Sequence, residues 1–109
     1  MEKIVLQGTL YDFYGKLLTP HQQKVYEDAV YENLSLSELS QAYGISRQAV
    51  HDLLKRCDKI LMDYEKDLGL VSKFESVRAD VEKIEKLAAQ NDAVKEEISR
   101  TAQHILELL

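Results

Sequence analysis

The sequence has few residues that break or cross-link a chain: one proline, four glycines, one cysteine and no tryptophan in 109 residues. A single cysteine cannot form an internal disulfide, which excludes a small secreted scaffold held together by such bonds. Scarce proline and glycine leave few turns and favour long helices. The length is about one domain on the usual scale of roughly 100–200 residues, which excludes a two-domain enzyme with a cleft between its domains.

Long apolar runs are also absent, since none approaches the ~18 residues of a membrane span. The N-terminal run MEKIVLQGTLYDF lacks the basic start and continuous apolar core of a signal peptide, so we expect a cytoplasmic protein without a membrane span. The 19 acidic residues outnumber the 14 basic ones and give a net charge of −5. This excludes a broadly basic coat for nucleic acid but leaves room for a local basic patch.

Apolar residues recur at steps of three and four along the chain, which predicts an all-α fold. Helices are expected over about 4–18, 20–32, 36–43, 47–67, 70–89 and 93–108. Two of them follow capping sequences, Thr19-Pro20-His21-Gln22 and Ser35-Leu36-Ser37-Glu38. Asn33 is expected to end the second helix in a left-handed conformation, and Asp92 to cap the last one. Two glycines on one face of the first helix, Gly8 and Gly15, predict the close approach of another helix.

The segment LSELSQAYGISRQAVHDLLK, residues 36–55, has the pattern of a helix-turn-helix: a short helix, a turn containing glycine, and a second helix. Gly44 is expected to adopt a positive φ where the first helix ends. Ser40 is small enough for the second helix to cross closely, and Ser46 is expected to cap that second helix. Four apolar residues are expected to form the shared core: Leu39, Ile45, Val50 and Leu53.

The N-terminal end of such a second helix is the part that meets base edges and phosphates in the major groove. The candidate nucleic-acid-binding residues on it are Arg47, Gln48, His51, Lys55, Arg56 and Lys59. Gln48 and His51 are the candidate base readers, and the four cations are candidates for phosphate contacts. Asp52 and Asp58 are expected to be exposed on the same helix. With four basic and two acidic residues, the segment 47–59 has a net charge of +2. An ordinary solvated helix face is the alternative, and the acidic residues predict that any DNA binding is weak.

Several runs are more specific than a generic motif: DFYGKLLT, LSLSELS, SRQAVHDLLKR and YEKDLGL. Over about residues 2–75 the chain resembles the YlxM family of helix-turn-helix proteins, and the motif itself is similar to region 4 of sigma factors. The resemblance implies an all-helical, dimeric, bacterial cytoplasmic protein with a DNA-binding or regulatory role. It also implies a link to the signal recognition particle through the GTPases of that pathway. Residues 76–109 carry no motif of the family.

The C-terminal arm has a heptad pattern, because Leu70, Phe74, Val77, Val81, Ile84 and Ala88 step alternately by four and three. A boundary near Gly69 is expected to divide a helix-turn-helix domain, 1–69, from a helical arm, 70–109. The seam either packs within the chain or joins two copies. We favour dimerisation through Phe74, Val77, Val81 and Ile84, because a short amphipathic arm needs another surface to cover it.

No other pattern points to chemistry. His21, His51 and His104 lack the spacing of metal ligands, and Cys57 lies on an apolar stripe, as a buried structural thiol would. No phosphate-binding loop and no catalytic pair stand out, so neither an enzyme nor a cofactor or metal is expected. Two functions stay open: a helix-turn-helix regulator that binds DNA or RNA, and an accessory factor that docks on a signal recognition particle GTPase or its RNA.

Overall fold

The computed structural model describes residues 2–90 and 94–109, and over these residues it is helical without a strand, as predicted. The helices are α1 (Lys3–Tyr14), α2 (Pro20–Val30), α3 (Leu36–Tyr43), α4 (Arg47–Leu68), α5 (Leu70–Ala88) and α6 (Lys95–Leu108). The chain divides into two compact units, Met1–Gly69 and Leu70–Leu109. None of the helices in the described ranges is long and apolar enough to cross a membrane.

Side-chain caps start three of these helices at the predicted residues. Thr19 and Gln22 form a complete capping box at the start of α2, with N–H···O distances of 3.0 and 3.2 Å between them. Ser35 and Glu38 do the same at α3, at 3.0 and 3.1 Å. The Ser46 hydroxyl accepts the Ala49 N–H at 3.0 Å and so caps α4. The cap predicted at Asp92 lies outside the described residues.

Left-handed residues follow α2, α3 and α4, the first two at the residues for which the sequence predicts this conformation. Asn33 has a φ of 54°, and Gly44 and Gly69 have φ of 66° and 63°. A Cβ built on either glycine would find nothing within 4 Å. At these two positions a residue with a Cβ would be strained by the positive φ of the backbone, and no neighbouring atom would add a clash. The backbone conformation alone therefore favours glycine.

The first helix ends earlier than predicted. It stops at Tyr14, and a tighter 3₁₀ turn, Gly15–Leu17, follows, closed by the Leu18 N–H on the Gly15 carbonyl at 3.0 Å. A 3₁₀ turn has three residues per turn, so the apolar register shifts by one position. Leu17, which the steps of three and four place on the apolar stripe of the first helix, is 55% exposed, while Leu18 is buried.

The prediction that another helix passes close to the two glycines of the first helical segment is wrong at Gly15, and at Gly8 the approach is that of one side chain from the end of α2. At Gly8 the nearest atom to an added Cβ is the Tyr31 Cε1, at an ordinary contact distance of 3.9 Å. At Gly15 the obstacle is the ring of Tyr11, 2.7 Å away and only one turn earlier in the same segment. Gly15 therefore makes room for a local aromatic ring, which periodicity along the sequence does not reveal.

The core of the first unit lies where α4 meets α1, α2 and α3. Its fully buried side chains are Tyr14, Val25, Tyr26, Leu39, Val50, Cys57 and Leu61. Cys57 is a free, buried cysteine, as predicted, and burial raises the pKa of its thiol to about 11. A thiol that stays protonated at neutral pH is a poor nucleophile, which fits a packing role.

Hydrogen bonds from tyrosine hydroxyls to carboxylates tie the edges of this core together. Five such tyrosine–carboxylate pairs occur: Tyr11–Glu27, Tyr14–Glu65, Tyr26–Asp58, Tyr31–Asp12 and Tyr43–Asp28. Four of them have O···O distances of 2.6 Å. Each pair joins segments far apart in the chain, and a hydrogen bond to an ionised acceptor is stronger than a neutral one. Part of the acidic surplus is therefore structural.

The tyrosine–carboxylate pairs predict a loss of stability at alkaline pH. Burial and the hydrogen bond to Asp12 raise the pKa of Tyr31 to about 12, and the hydrogen bond to Asp28 does the same for Tyr43. In the unfolded chain both hydroxyls ionise near pH ~10. Their stabilisation is thus complete below about pH 10 and is lost as the pH rises toward 12. Urea unfolding at a series of pH values should show this decline.

The matched variant for that test is Tyr43→Phe, which should make the decline with pH shallower. Tyrosinate absorbance measured in parallel should rise together with the loss of helicity. Tyrosines that ionise near pH ~10 while the protein stays folded would contradict the prediction.

Alanine is expected to have opposite effects at a glycine with a positive φ, Gly44, and at a glycine inside a helix, Gly8. Gly44→Ala should lower the free energy of unfolding by about 1–2 kcal/mol, because a residue with a Cβ is strained at positive φ. Gly8→Ala should raise it by about 0.5–1 kcal/mol, because the position is helical and the methyl group meets only an ordinary contact. Thermal or urea unfolding measures both. An unchanged stability of Gly44→Ala would argue against the turn.

Candidate nucleic-acid interface

A tight turn joins α3 to α4, and both the carbonyl and the hydroxyl of Ser40 form hydrogen bonds that stabilise it. The N–H groups of Gly44 and Ile45 both donate to the Ser40 carbonyl, the latter at 3.2 Å. The Ser40 hydroxyl donates in turn to the Ile45 carbonyl. The sequence predicts only that Ser40 is small enough for a close crossing of the helices, and it does not reveal this hydrogen bond. The turn thus sets the direction of α4 through backbone geometry and one side chain.

Beneath the turn, the side chains predicted to form the shared core are partly or fully buried. Leu39 and Val50 are fully buried, while Ile45 and Leu53 are half-buried. Because one side of α4 is buried against α1, α2 and α3, its opposite side must point outward.

The outward face of α4 carries most of the predicted binding residues. Successive helical residues rotate by ~100°, which puts Gln48, Asp52, Lys55 and Lys59 along one line. Arg47 and Arg56 lie on either side of that line, and all six residues are exposed. The structure therefore brings the candidate cations and Gln48 onto one accessible surface, which we call the α4 face.

The cations of the α4 face differ in whether they form an ion pair with a carboxylate. Lys59 forms an ion pair with Asp63, with Nζ 2.8 Å from Oδ2, and this carboxylate raises the pKa of Lys59. In the part of the chain that the structure describes, no ion pair involves Arg47, Lys55 or Arg56. Those three side chains can turn to a phosphate without first giving up a carboxylate.

His51 is less accessible than predicted. Its side chain is 44% exposed, and its Nδ1 is buried without a hydrogen-bond partner among the described residues. The nearest carboxylate oxygen, Oδ1 of Asp52, is 3.7 Å from Nδ1, too far for a hydrogen bond. Only part of the ring is therefore available for contact with a base.

The prediction that Asp58 is exposed on this face is wrong. Asp58 lies on the side of α4 that faces α1 and α2, where it accepts the Tyr26 hydroxyl at 2.6 Å and the Gln7 side-chain amide at 2.9 Å. This leaves Asp52 as the one carboxylate of the segment 47–59 on the outward side. The α4 face is thus more positive than the count of charges along the sequence indicates.

A groove beside α4 brings together residues that the sequence did not relate to one another. It has a volume of about 470 Å³ and is lined by Thr19, His21 and Gln22 from the start of α2 and by Ala49, Asp52, Leu53 and Arg56 from α4. Nothing in the spacing of residues along the chain relates the start of α2 to α4. The packing of α2 on α4 brings these polar groups together with Arg56.

The predicted dimerisation residues lie on α5, which packs against α6 as a helical hairpin. The contacts between the two helices include His104 with Asp80, and Lys83 with Glu97 at 3.6 Å. Val77 and Ile84 are half-buried, whereas Phe74 and Val81 are exposed. Among the residues that the structure describes, no group of three or more His, Cys, Asp or Glu side chains could hold a metal ion.

A short helix, a turn and a longer helix with an exposed polar face define a helix-turn-helix protein. Residues 1–107 match the family described as "UPF0122: Putative helix-turn-helix protein, YlxM / p13 like", and the chain belongs to this family. The resemblance to YlxM is thereby confirmed. The match also includes the α5–α6 hairpin, in which the sequence showed no motif of the family.

Similar proteins occur in several bacteria. The chain is 54% identical to a UPF0122 protein of Desulforamulus reducens over 65 residues, which are 60% of this chain and 56% of that relative. It is 34% identical to UPF0122 proteins of Bacillus cereus (strain AH187) and Bacillus anthracis (strain A0248) over 108 residues. That alignment covers 99% of this chain and 98% of each Bacillus protein.

Proposed function

We propose that the protein is a helix-turn-helix regulator that inserts the α4 face into the major groove of duplex DNA. The observation that carries the proposal is the set of three cations, Arg47, Lys55 and Arg56, that are exposed and form no ion pair in the described ranges. Arg47 is the first residue of α4, and Lys55 and Arg56 lie in its third turn, so the three cations flank the N-terminal part of the helix, which meets bases and phosphates in a recognition helix. The role is non-enzymatic and agrees with the cytoplasmic location that the sequence predicts.

Each residue of the α4 face has a distinct role in this proposal. Arg47, Lys55 and Arg56 contact phosphates, while Gln48 and the neighbouring His51 meet base edges. Lys59 contributes less, because it must leave Asp63 to reach a phosphate. Duplex DNA is favoured over duplex RNA, since the deep, narrow major groove of an A-form helix does not admit an α-helix.

The strength of binding is limited by the rest of the chain. The net charge of −5 repels a polyanion at a distance, and Asp52 does so at the contact face. We therefore expect binding to duplex DNA to be weak and sensitive to salt.

The first test is the salt dependence of DNA binding, measured by fluorescence anisotropy. The slope of log K against log salt should be about −0.9 for each phosphate neutralised. Arg47→Ala and Arg56→Ala should each flatten the slope by about one unit, and Lys59→Ala should have a smaller effect because of its ion pair. Lys86→Ala, a matched exposed lysine on α5, should leave the slope unchanged. Absence of binding even at low salt would overturn the proposal.

We also propose that the α5–α6 hairpin joins two copies of the chain. Only Val71, Leu87 and Thr101 are buried among the described residues of this unit, which spans Leu70–Leu109. Val81 remains 42% exposed on α5 and Leu106 66% exposed on α6. A unit of about 40 residues with so small a core usually needs another surface. A second hairpin would complete a four-helix bundle through the seam of Phe74, Val77, Val81 and Ile84.

Sedimentation velocity at micromolar concentration tests the dimer. Val81→Glu should give a folded monomer, because a carboxylate cannot be buried in an apolar seam without a partner. Lys86→Glu introduces the same side chain on another side of α5 and should leave the dimer intact. Ile84→Glu is less informative, because Ile84 is half-buried and the change should also weaken the hairpin. A dimeric Val81→Glu protein would show that the interface lies elsewhere.

A second candidate function is that of an accessory factor that binds a GTPase of the signal recognition particle pathway, as the YlxM resemblance implies. The observation that favours a protein partner is an apolar groove of about 330 Å³ in the first unit. It is lined mainly by Ile4, Ala29, Val30, Leu34, Leu36 and Leu54. If no DNA binds at low salt, this candidate remains, and adding the protein should change the rate of GTP hydrolysis by its partner.

A further inference from the structure

At the centre of the α4 face, Gln48 and Asp52 form a hydrogen-bonded pair. The Gln48 Nε2 donates to Oδ1 of Asp52 at 2.9 Å, one helical turn further along. A carboxylate can only accept hydrogen bonds, so the amide nitrogen of Gln48 must be the atom that faces it. Asp52 thereby fixes which end of the Gln48 amide points toward the carboxylate and which end stays outward.

The pairing leaves Gln48 with two unused groups, its second N–H and its carbonyl Oε1. One donor and one acceptor on the same amide match the N7 acceptor and the N6 amino donor that adenine presents in the major groove. Gln48 is the second residue of α4, within the turn of a recognition helix that meets base edges. A glutamine held in place before binding also loses less side-chain entropy when it binds.

Resting on the proposed DNA-binding function, we propose that Asp52 is a positioning residue that holds Gln48 to read adenine in an A·T base pair. This gives a physical reason for a carboxylate on a face that otherwise carries cations. Its charge lowers affinity for every DNA sequence, because it repels phosphates, while its hydrogen bond raises the discrimination between sequences. Affinity and discrimination therefore depend on different properties of the same side chain.

Two substitutions of Asp52 separate its charge from its hydrogen bond. Asp52→Asn removes the charge but keeps an oxygen that accepts from Gln48, whereas Asp52→Ala removes both. Asp63→Ala is the matched control, since it removes an exposed carboxylate that is paired four residues away, with Lys59, on the same helix. Gln48→Ala removes the proposed reader itself. Thermal unfolding of each variant establishes that it is folded before binding is measured.

The experiment is selection of bound duplexes from a randomised DNA pool, followed by binding to the selected duplex and to its single-base variants. The wild-type protein should select an A·T pair at one position, and a change to G·C there should weaken binding about tenfold. Asp52→Asn should keep this discrimination, and Asp52→Ala and Gln48→Ala should lose most of it. Both Asp52 variants should bind unrelated DNA more tightly than the wild type. Asp63→Ala should keep the discrimination.

Each other result overturns a different statement. An A·T preference that survives in Asp52→Ala would show that Asp52 does not position Gln48. A G·C preference in the wild type that is lost in Asp52→Ala but kept in Gln48→Ala would mean that Asp52 itself accepts from cytosine, and would overturn the positioning role. Binding of all sequences with equal affinity would overturn this inference and leave the proposed function standing. No binding of any duplex at low salt would overturn the proposed function and this inference with it.

Discussion

Burial of one side of α4 is the constraint on which the rest of the first unit depends. Val50, Cys57 and Leu61 are fully buried at intervals of seven and four residues, where α4 packs on α1, α2 and α3. The other side of this 22-residue helix is polar and could not stabilise it alone. Because packing fixes the rotation of α4 about its axis, it also decides which side chains form the outward face.

Many carboxylates of the first unit have a structural role that the net charge of the chain does not reveal. Asp12, Glu27, Asp28, Asp58 and Glu65 accept hydrogen bonds from tyrosines and hold neighbouring helices together. Each of these five carboxylates is engaged with a tyrosine, and none of them belongs to the α4 face. The acidic total of the chain therefore overstates how negative the candidate interface is, although it still weakens the attraction of DNA at long range.

Local signals predicted much of the fold. The capping boxes at Thr19 and Ser35 and the left-handed Gly44 depend on hydrogen bonds and φ angles within a few residues, so sequence spacing is enough to locate them. The end of α1 was not predictable in this way. The helix gives way there to a 3₁₀ turn that begins at Gly15, where the ring of Tyr11 occupies the space that a Cβ would need, a contact between side chain and backbone that periodicity does not record.

For the candidate site, the sequence alone determined the motif, the cap at Ser46 and the set of polar residues on α4, because helical spacing follows from covalent geometry. Only the tertiary structure decided which of them face outward. Asp58 turned out to bond Tyr26 from α2 and Gln7 from α1, and His51 turned out to be half-buried. Whether a side chain of α4 is buried depends on which helices pack against it. These contacts join residues more than thirty positions apart in the chain, so spacing within α4 does not predict them.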